Sequence, residues 1–206
     1  MSLPANELVA LLVAISFAAG LNVYATLATL GLLARVGLLF LPIPLHLLSN
    51  WWIIAASGTM FVAEFFADKI PGFDLIWNAL HTFVRIPVAA LLAYAASSRL
   101  SPGEQVLATV LGGVIAMAAH GGKIALRAAV TPTPEPFSNI TLSLGEDAVA
   151  IGLTWFATRH PYWAAAIAGV LLAILIVLVR WVIRALCALF RGAGQWLARR
   201  ADQPVS

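Results

Sequence analysis

From residue 7 to residue 179 the chain is a series of apolar stretches separated only by short clusters of proline, glycine and charged residues. A helix rises 1.5 Å per residue, so about 20 apolar residues cross the roughly 30 Å hydrocarbon core of a bilayer. Composition agrees with that length. Of 206 residues, 62% are apolar and 10% charged, against roughly 45–50% and about 25% in a soluble domain. A soluble globule is excluded, and too few polar residues remain to coat a large extramembrane domain. The lone Cys187 permits no internal disulfide and has no partner for a metal motif.

Punctuation by Pro, Gly and polar clusters divides the sequence into six helices, over about residues 7–33, 46–67, 75–96, 104–130, 139–158 and from 162 onward. The first contains Gly20-Leu21-Asn22, a candidate break, and the third carries Arg85-Ile86-Pro87 near its middle. Thr131-Pro132-Thr133-Pro134-Glu135-Pro136 cannot be helical throughout, because each proline removes a donor and biases its predecessor away from the α region. The expected fold is an all-α, polytopic membrane bundle of about six transmembrane helices over residues 1–179, followed by a basic, amphipathic cytoplasmic tail over 180–206.

Charge sets the expected orientation. With both termini inside, Lys69, Lys123, Arg127 and the tail arginines Arg180, Arg184, Arg191, Arg199 and Arg200 lie on the cytoplasmic side, and Arg35, Arg99 and Arg159 lie outside. The first six residues carry no Lys or Arg, so the first apolar run is read as a retained span rather than a cleaved leader. A weak match of residues 61–71 to 151–161 suggests an inverted three-plus-three repeat, with Gly20-Leu21-Asn22 and His120-Gly121-Gly122 as paired interruptions.

Ionisable residues at membrane depth cost at least about 2.5–3.5 kcal/mol each on insertion scales and are functional candidates where they cluster. Asp74, Asn78, His81 and Arg85 fall on one helical face, as do His120, Lys123 and Arg127. Glu64 and Asp68 come from the second predicted helix, and Ser143, Glu146 and Asp147 from the fifth. Counting from the turns pairs Lys123 with Glu146 and Asp147, puts Glu64 level with His81, and leaves Arg85 deepest. Two readings follow: ion pairs that fix helix register, or a cytoplasm-facing cavity whose cations bind an anion while its carboxylates neutralise the site or relay protons.

The ordered motifs Ala18-Ala19-Gly20-Leu21-Asn22, Asp68-Lys69-Ile70-Pro71 with Asp74, Arg85-Ile86-Pro87, His120-Gly121-Gly122-Lys123 with Arg127, and Ser143-Leu144-Gly145-Glu146-Asp147 resemble a family of bacterial integral membrane proteins. That family is catalogued as a domain of unknown function, number four-one-two-six. The resemblance covers about residues 10–175 and implies a bacterial inner-membrane location without an activity.

The expected function is a transporter or channel-like binder of a small anionic solute or a lipid headgroup. Asn22, Arg85, His120, Lys123 and Arg127 would bind it. Glu64, Asp68, Asp74, His81, Glu146 and Asp147 would balance charge or couple protons. Alternatives are a membrane-embedded enzyme acting on a lipid phosphate, with His81 or His120 as acid or base, and a non-catalytic scaffold. No motif of a hydrolase, protease or nucleotide-binding loop is present. No ligand spacing implies a metal or cofactor. The bilayer is the expected partner, nucleic acid has no support beyond the basic tail, and the sequence leaves the oligomeric state open.

Overall fold

The computed structural model describes residues 4–70, 72–130 and 136–201. The described residues form α1 (Ala5–Leu21), α2 (Val23–Arg35), a 3-10 helix (Ile43–Ser49), α3 (Trp51–Ala67), α4 (Phe73–Ala96), α5 (Pro102–Val130), α6 (Pro136–Ala157) and α7 (Pro161–Ala201). Four helices are long and apolar enough to cross a membrane, and a fifth crossing is made if the 3-10 helix and α3, bent by 65° at Asn50, count as one. The Asn50 side chain accepts from the Trp52 amide and caps α3. Residues 131–135 of the proline-rich link lie outside the described residues, as do residues 202–206 of the tail. The expected span and tail are one helix, α7, which runs unbroken from Pro161 to Ala201 through position 180.

The expected first span is two helices. Asn22 takes an extended conformation (φ −149°, ψ 101°), which no helical residue can hold. Its carboxamide oxygen accepts from the Ala25 amide and so opens α2 with a cap. At 17 and 13 residues, α1 and α2 are about 26 and 20 Å long, each short of the roughly 30 Å core.

They also run in opposite directions. Along α1, Ser16 lies near Gly112 and Ala93, and Ala19 packs with Ala89, so α1 descends as α4 rises. Along α2, Tyr24 meets His81 edge-on and Leu30 joins Leu92 in one apolar cluster, so α2 rises with α4. The two helices form a hairpin whose tip is Asn22 and whose outer ends lie together beside Leu92, Leu100 and Thr158. The hairpin replaces one of the six expected crossings. The described helices then supply up to five crossings, and with five the start of α1 lies at the opposite end of the bundle from the end of α7.

Small residues allow the hairpin to sit deep. A Cβ on Gly20 would stand 2.5 Å from the Ala116 carbonyl oxygen, one on Gly31 2.4 Å from the Leu48 carbonyl oxygen, and one on Gly112 2.6 Å from Ala93 Cβ. Glycine here brings backbones together, as between membrane helices generally. The expected second interruption is absent, because α5 continues through His120, Gly121 and Gly122. With a hairpin in one half and an unbroken helix at the matching place in the other, the paired interruptions expected of an inverted repeat are not found.

Candidate functional site

Three local devices carry polar side chains to the tip of the hairpin. The α3–α4 turn ends α3 at Asp68 and restarts the chain at Gly72, whose φ of 83° suits glycine. Asp74 Oδ1 then accepts from the Gly72 and Leu75 amides, 2.9 and 2.8 Å away, at the positive end of α4. On α5, the helical spacing of His120, Lys123 and Arg127 aligns them on the face turned to this turn. Glu146 and Asp147 reach in from α6, which packs on the hairpin.

The result is one continuous network. Arg85 Nη2 donates to Glu64 Oε1, which also accepts from Lys123 Nζ at 3.4 Å. Lys123 Nζ donates to Asp68 Oδ2 at 2.8 Å and lies 3.3 Å from Glu146 Oε2. Arg127 bridges the Asp68 carboxylate (3.1 Å), the Asp68 carbonyl (2.9 Å), Asp74 Oδ2 (3.4 Å) and Glu146 Oε2. The backbone at the tip takes part too, because Lys123 Nζ donates to the Leu21 carbonyl at 3.2 Å. Asn22 Nδ2 donates to Asp147 Oδ1 at 2.9 Å. No residue of this set is more than 8% exposed.

The charges do not cancel. Glu64, Asp68, Asp74, Glu146 and Asp147 make five carboxylates, against the three cations Arg85, Lys123 and Arg127. The excess has a structural trace: Glu64 Oε2, Glu146 Oε1 and Asp147 Oδ2 are buried and have no hydrogen-bond partner among the described residues. Burial of such an oxygen costs about 1–3 kcal/mol, and more when it is charged. Asp68, just past the end of α3, is not one of these. Burial opposes its charge, but Lys123 and Arg127 outweigh burial and hold its carboxyl below the ordinary value. Among the described residues no group of three or more His, Cys, Asp or Glu is arranged to hold a metal ion.

The two candidate histidines separate. His120 Nδ1 lies 2.8 Å from Arg85 Nη1; a guanidinium only donates, so Nδ1 accepts. Nε2 lies 2.8 Å from Thr82 Oγ1 and 3.1 Å from the Asn78 carbonyl. His120 is thus a neutral link that orients Arg85, with both ring nitrogens engaged. His81 bonds the Trp77 carbonyl through Nδ1 at 2.8 Å and stacks on the Trp77 ring, with centroids 4.3 Å apart. It makes no contact with the ion pairs, although the depth count put it level with Glu64. Of the expected site residues the structure gathers Asn22, Glu64, Asp68, Asp74, Arg85, His120, Lys123, Arg127, Glu146 and Asp147, and leaves His81 aside.

Three participants were not foreseen as site residues. Asn78 Nδ2 donates to Asp68 Oδ1 at 3.0 Å and to the Asp74 carbonyl at 2.7 Å. Its place on the Asp74–Arg85 face was the available signal. Thr82 had the weaker signal of lying one turn beyond Asn78. The Leu21 carbonyl had none, since a backbone group becomes a ligand only once the break is placed.

Comparison with known sequences adds the family and no more. The model of a family described as a domain of unknown function (DUF4126) matches residues 9–181. The chain belongs to that family. No curated protein and no solved structure matches.

Proposed function

We propose that this DUF4126 member is a multi-pass membrane transporter that moves a small anion, or an anionic lipid headgroup, together with protons, and that the structure is its closed state. The observation that carries this reading is the tip of the hairpin, where an interrupted backbone meets five buried carboxylates and three cations. Irregular backbone at membrane depth is tolerated where it is buried in protein or lines a cavity. Transporters commonly build midplane sites from discontinuous helices. As paired here, the cations have no spare charge for an anion. Protons arriving at the orphaned oxygens of Glu64, Glu146 and Asp147 would weaken the pairs and free Arg85 and Lys123 to take one. The lipid-phosphate enzyme has less support, because His120 is fully engaged and His81 stands outside the network.

Counted as five crossings, the helices favour an orientation that departs from the expected one, in which both termini were cytoplasmic. We place the end of α7 and Lys69 in the cytoplasm, and the start of α1 outside with Arg35, Arg99 and Arg159.

Proteoliposomes holding a pH-sensitive dye test the mechanism. With an inward acid gradient and phosphate, sulfate or glycerol 3-phosphate outside, at least one anion should accelerate lumen acidification. Asp147→Asn should remove most of that acceleration while the protein still purifies as a folded species. Anion-independent dye signals in the wild type, or an unchanged rate in Asp147→Asn, would overturn the reading.

A further inference from the structure

At the outer end of the bundle the arms of the hairpin diverge around a cavity of about 520 Å³. Its wall is mostly aliphatic, with Leu11, Leu12 and Ile15 from α1, Leu30 from α2, Leu92 from α4 and Leu41 from the loop before the 3-10 helix. A second apolar recess of about 420 Å³ lies between α1 and α5, walled by Val9, Val13, Leu107 and Leu111. The two share Leu12 and Leu100, which stand between them as a ridge. Both volumes fall in the range of about 300–1,000 Å³ usual for ligand sites.

The polar groups at the ridge are specific. Arg99, in the link between α4 and α5, lines the first recess and is exposed; among the described residues its guanidinium has no hydrogen bond or ion pair. Glu104, at the start of α5, lines the second. Its Oε2 accepts from the Ser101 amide and hydroxyl, 3.0 and 2.7 Å away, which fixes the carboxylate in place. Two apolar recesses side by side, with an exposed cation at one mouth and a carboxylate held by Ser101 at the other, match an amphiphile of defined chemistry.

We infer that this end of the molecule is a binding site for one diacyl phospholipid with an amine-bearing zwitterionic headgroup. One acyl chain occupies each recess, astride Leu12 and Leu100. The phosphate sits on Arg99, whose planar fork suits phosphate oxygens. The headgroup ammonium faces Glu104. The site lies at the other end of the hairpin from the charge network, and the inference does not depend on transport.

The test is lipid retention by the full chain, purified in mild detergent and exchanged into vesicle-free buffer after incubation with equal phosphatidylethanolamine, phosphatidylcholine and phosphatidylglycerol. Native mass spectrometry should find about one bound phosphatidylethanolamine per chain. Arg99→Ala should lower that occupancy at least fivefold. Glu104→Gln should keep lipid but lose the preference for phosphatidylethanolamine over phosphatidylglycerol. Leu41→Trp, at a half-buried loop position, should fill the first recess and displace lipid without touching either charge. Arg159→Ala removes an outer arginine that lines neither recess and should change nothing. Equal loss from Arg99→Ala and Arg159→Ala would mean non-specific annular lipid and overturn the inference. So would wild-type occupancy in both Arg99→Ala and Leu41→Trp.

Discussion

The two ends of the α1–α2 hairpin solve opposite problems. At its tip, charged and polar side chains are buried and joined in one network, and the helices close tightly around them. At its open end, the walls are leucine and isoleucine, and the helices stand apart around empty space. In water the reverse would be expected, because apolar walls close up to exclude solvent. In a membrane the lipid is as apolar as leucine, so nothing drives the aliphatic end shut. Polar groups, however, have no alternative partner in the hydrocarbon. The fold is therefore held from the polar end, and the apolar end is left available.

This contrast predicts unequal costs of substitution. Arg85→Met strands Glu64, whose Oε1 would keep only the long bond to Lys123, and also frees His120 Nδ1. Breaking a buried pair from one side costs about 3–5 kcal/mol. Arg85→Met should accordingly destabilise more than any single substitution at the open end, read as a large fall in the unfolding midpoint in detergent. Removing both partners should cost less than removing one, so Glu64→Gln in the Arg85→Met background should recover part of the loss. An additive pair would show that Arg85 and Glu64 do not act as a unit.

At the open end the expected effect is smaller. Leu30 is 2% exposed yet lines the outer cavity. In a soluble core a leucine-to-alanine change costs about 2.7–5 kcal/mol, rising with the volume of the void it leaves. Here the void already exists and lipid can extend into it, so Leu30→Ala should fall below that range, near about 1 kcal/mol in lipid bicelles. A cost equal to that of Arg85→Met would show that the cavity wall, not the charge network, holds the hairpin.

How far this division can be read from sequence depends on what each part requires. The network was legible because charged residues in apolar helices are rare, and helical spacing alone put Lys123 with Arg127 and Asp74 with Arg85 on common faces. The pairing of Lys123 with Glu146 followed from counting residues back from the turns. The hairpin was not legible as a hairpin. Gly20-Leu21-Asn22 marks a break, but a broken crossing and a reversal need the same residues, and only the packing of Tyr24 on His81 and of Ala19 on Ala89 tells them apart. That ambiguity also carried the expected crossing number to six. His81 stands apart from the network because depth gives no azimuth: it turns toward Trp77 and Tyr24.

The glycines give the finest test, since sequence alone cannot say which of them bring helices together. Gly20 and Gly121 both lie in helices within about one turn of the charged tip. An added Cβ at Gly20 would stand 2.5 Å from a backbone carbonyl oxygen, which cannot move aside without shifting α5. At Gly121 it would meet nothing within 4 Å. Gly20→Ala should therefore be destabilising by about 1–3 kcal/mol, the usual cost of overpacking. Gly121→Ala should be neutral to stabilising by up to about 1 kcal/mol, because alanine narrows the unfolded ensemble and favours the helix. Thermal unfolding of the two variants side by side should show this difference in sign. Were Gly121→Ala to destabilise as much as Gly20→Ala, α5 would need backbone freedom at Gly121, and the interruption that this structure lacks would belong to another state of the protein.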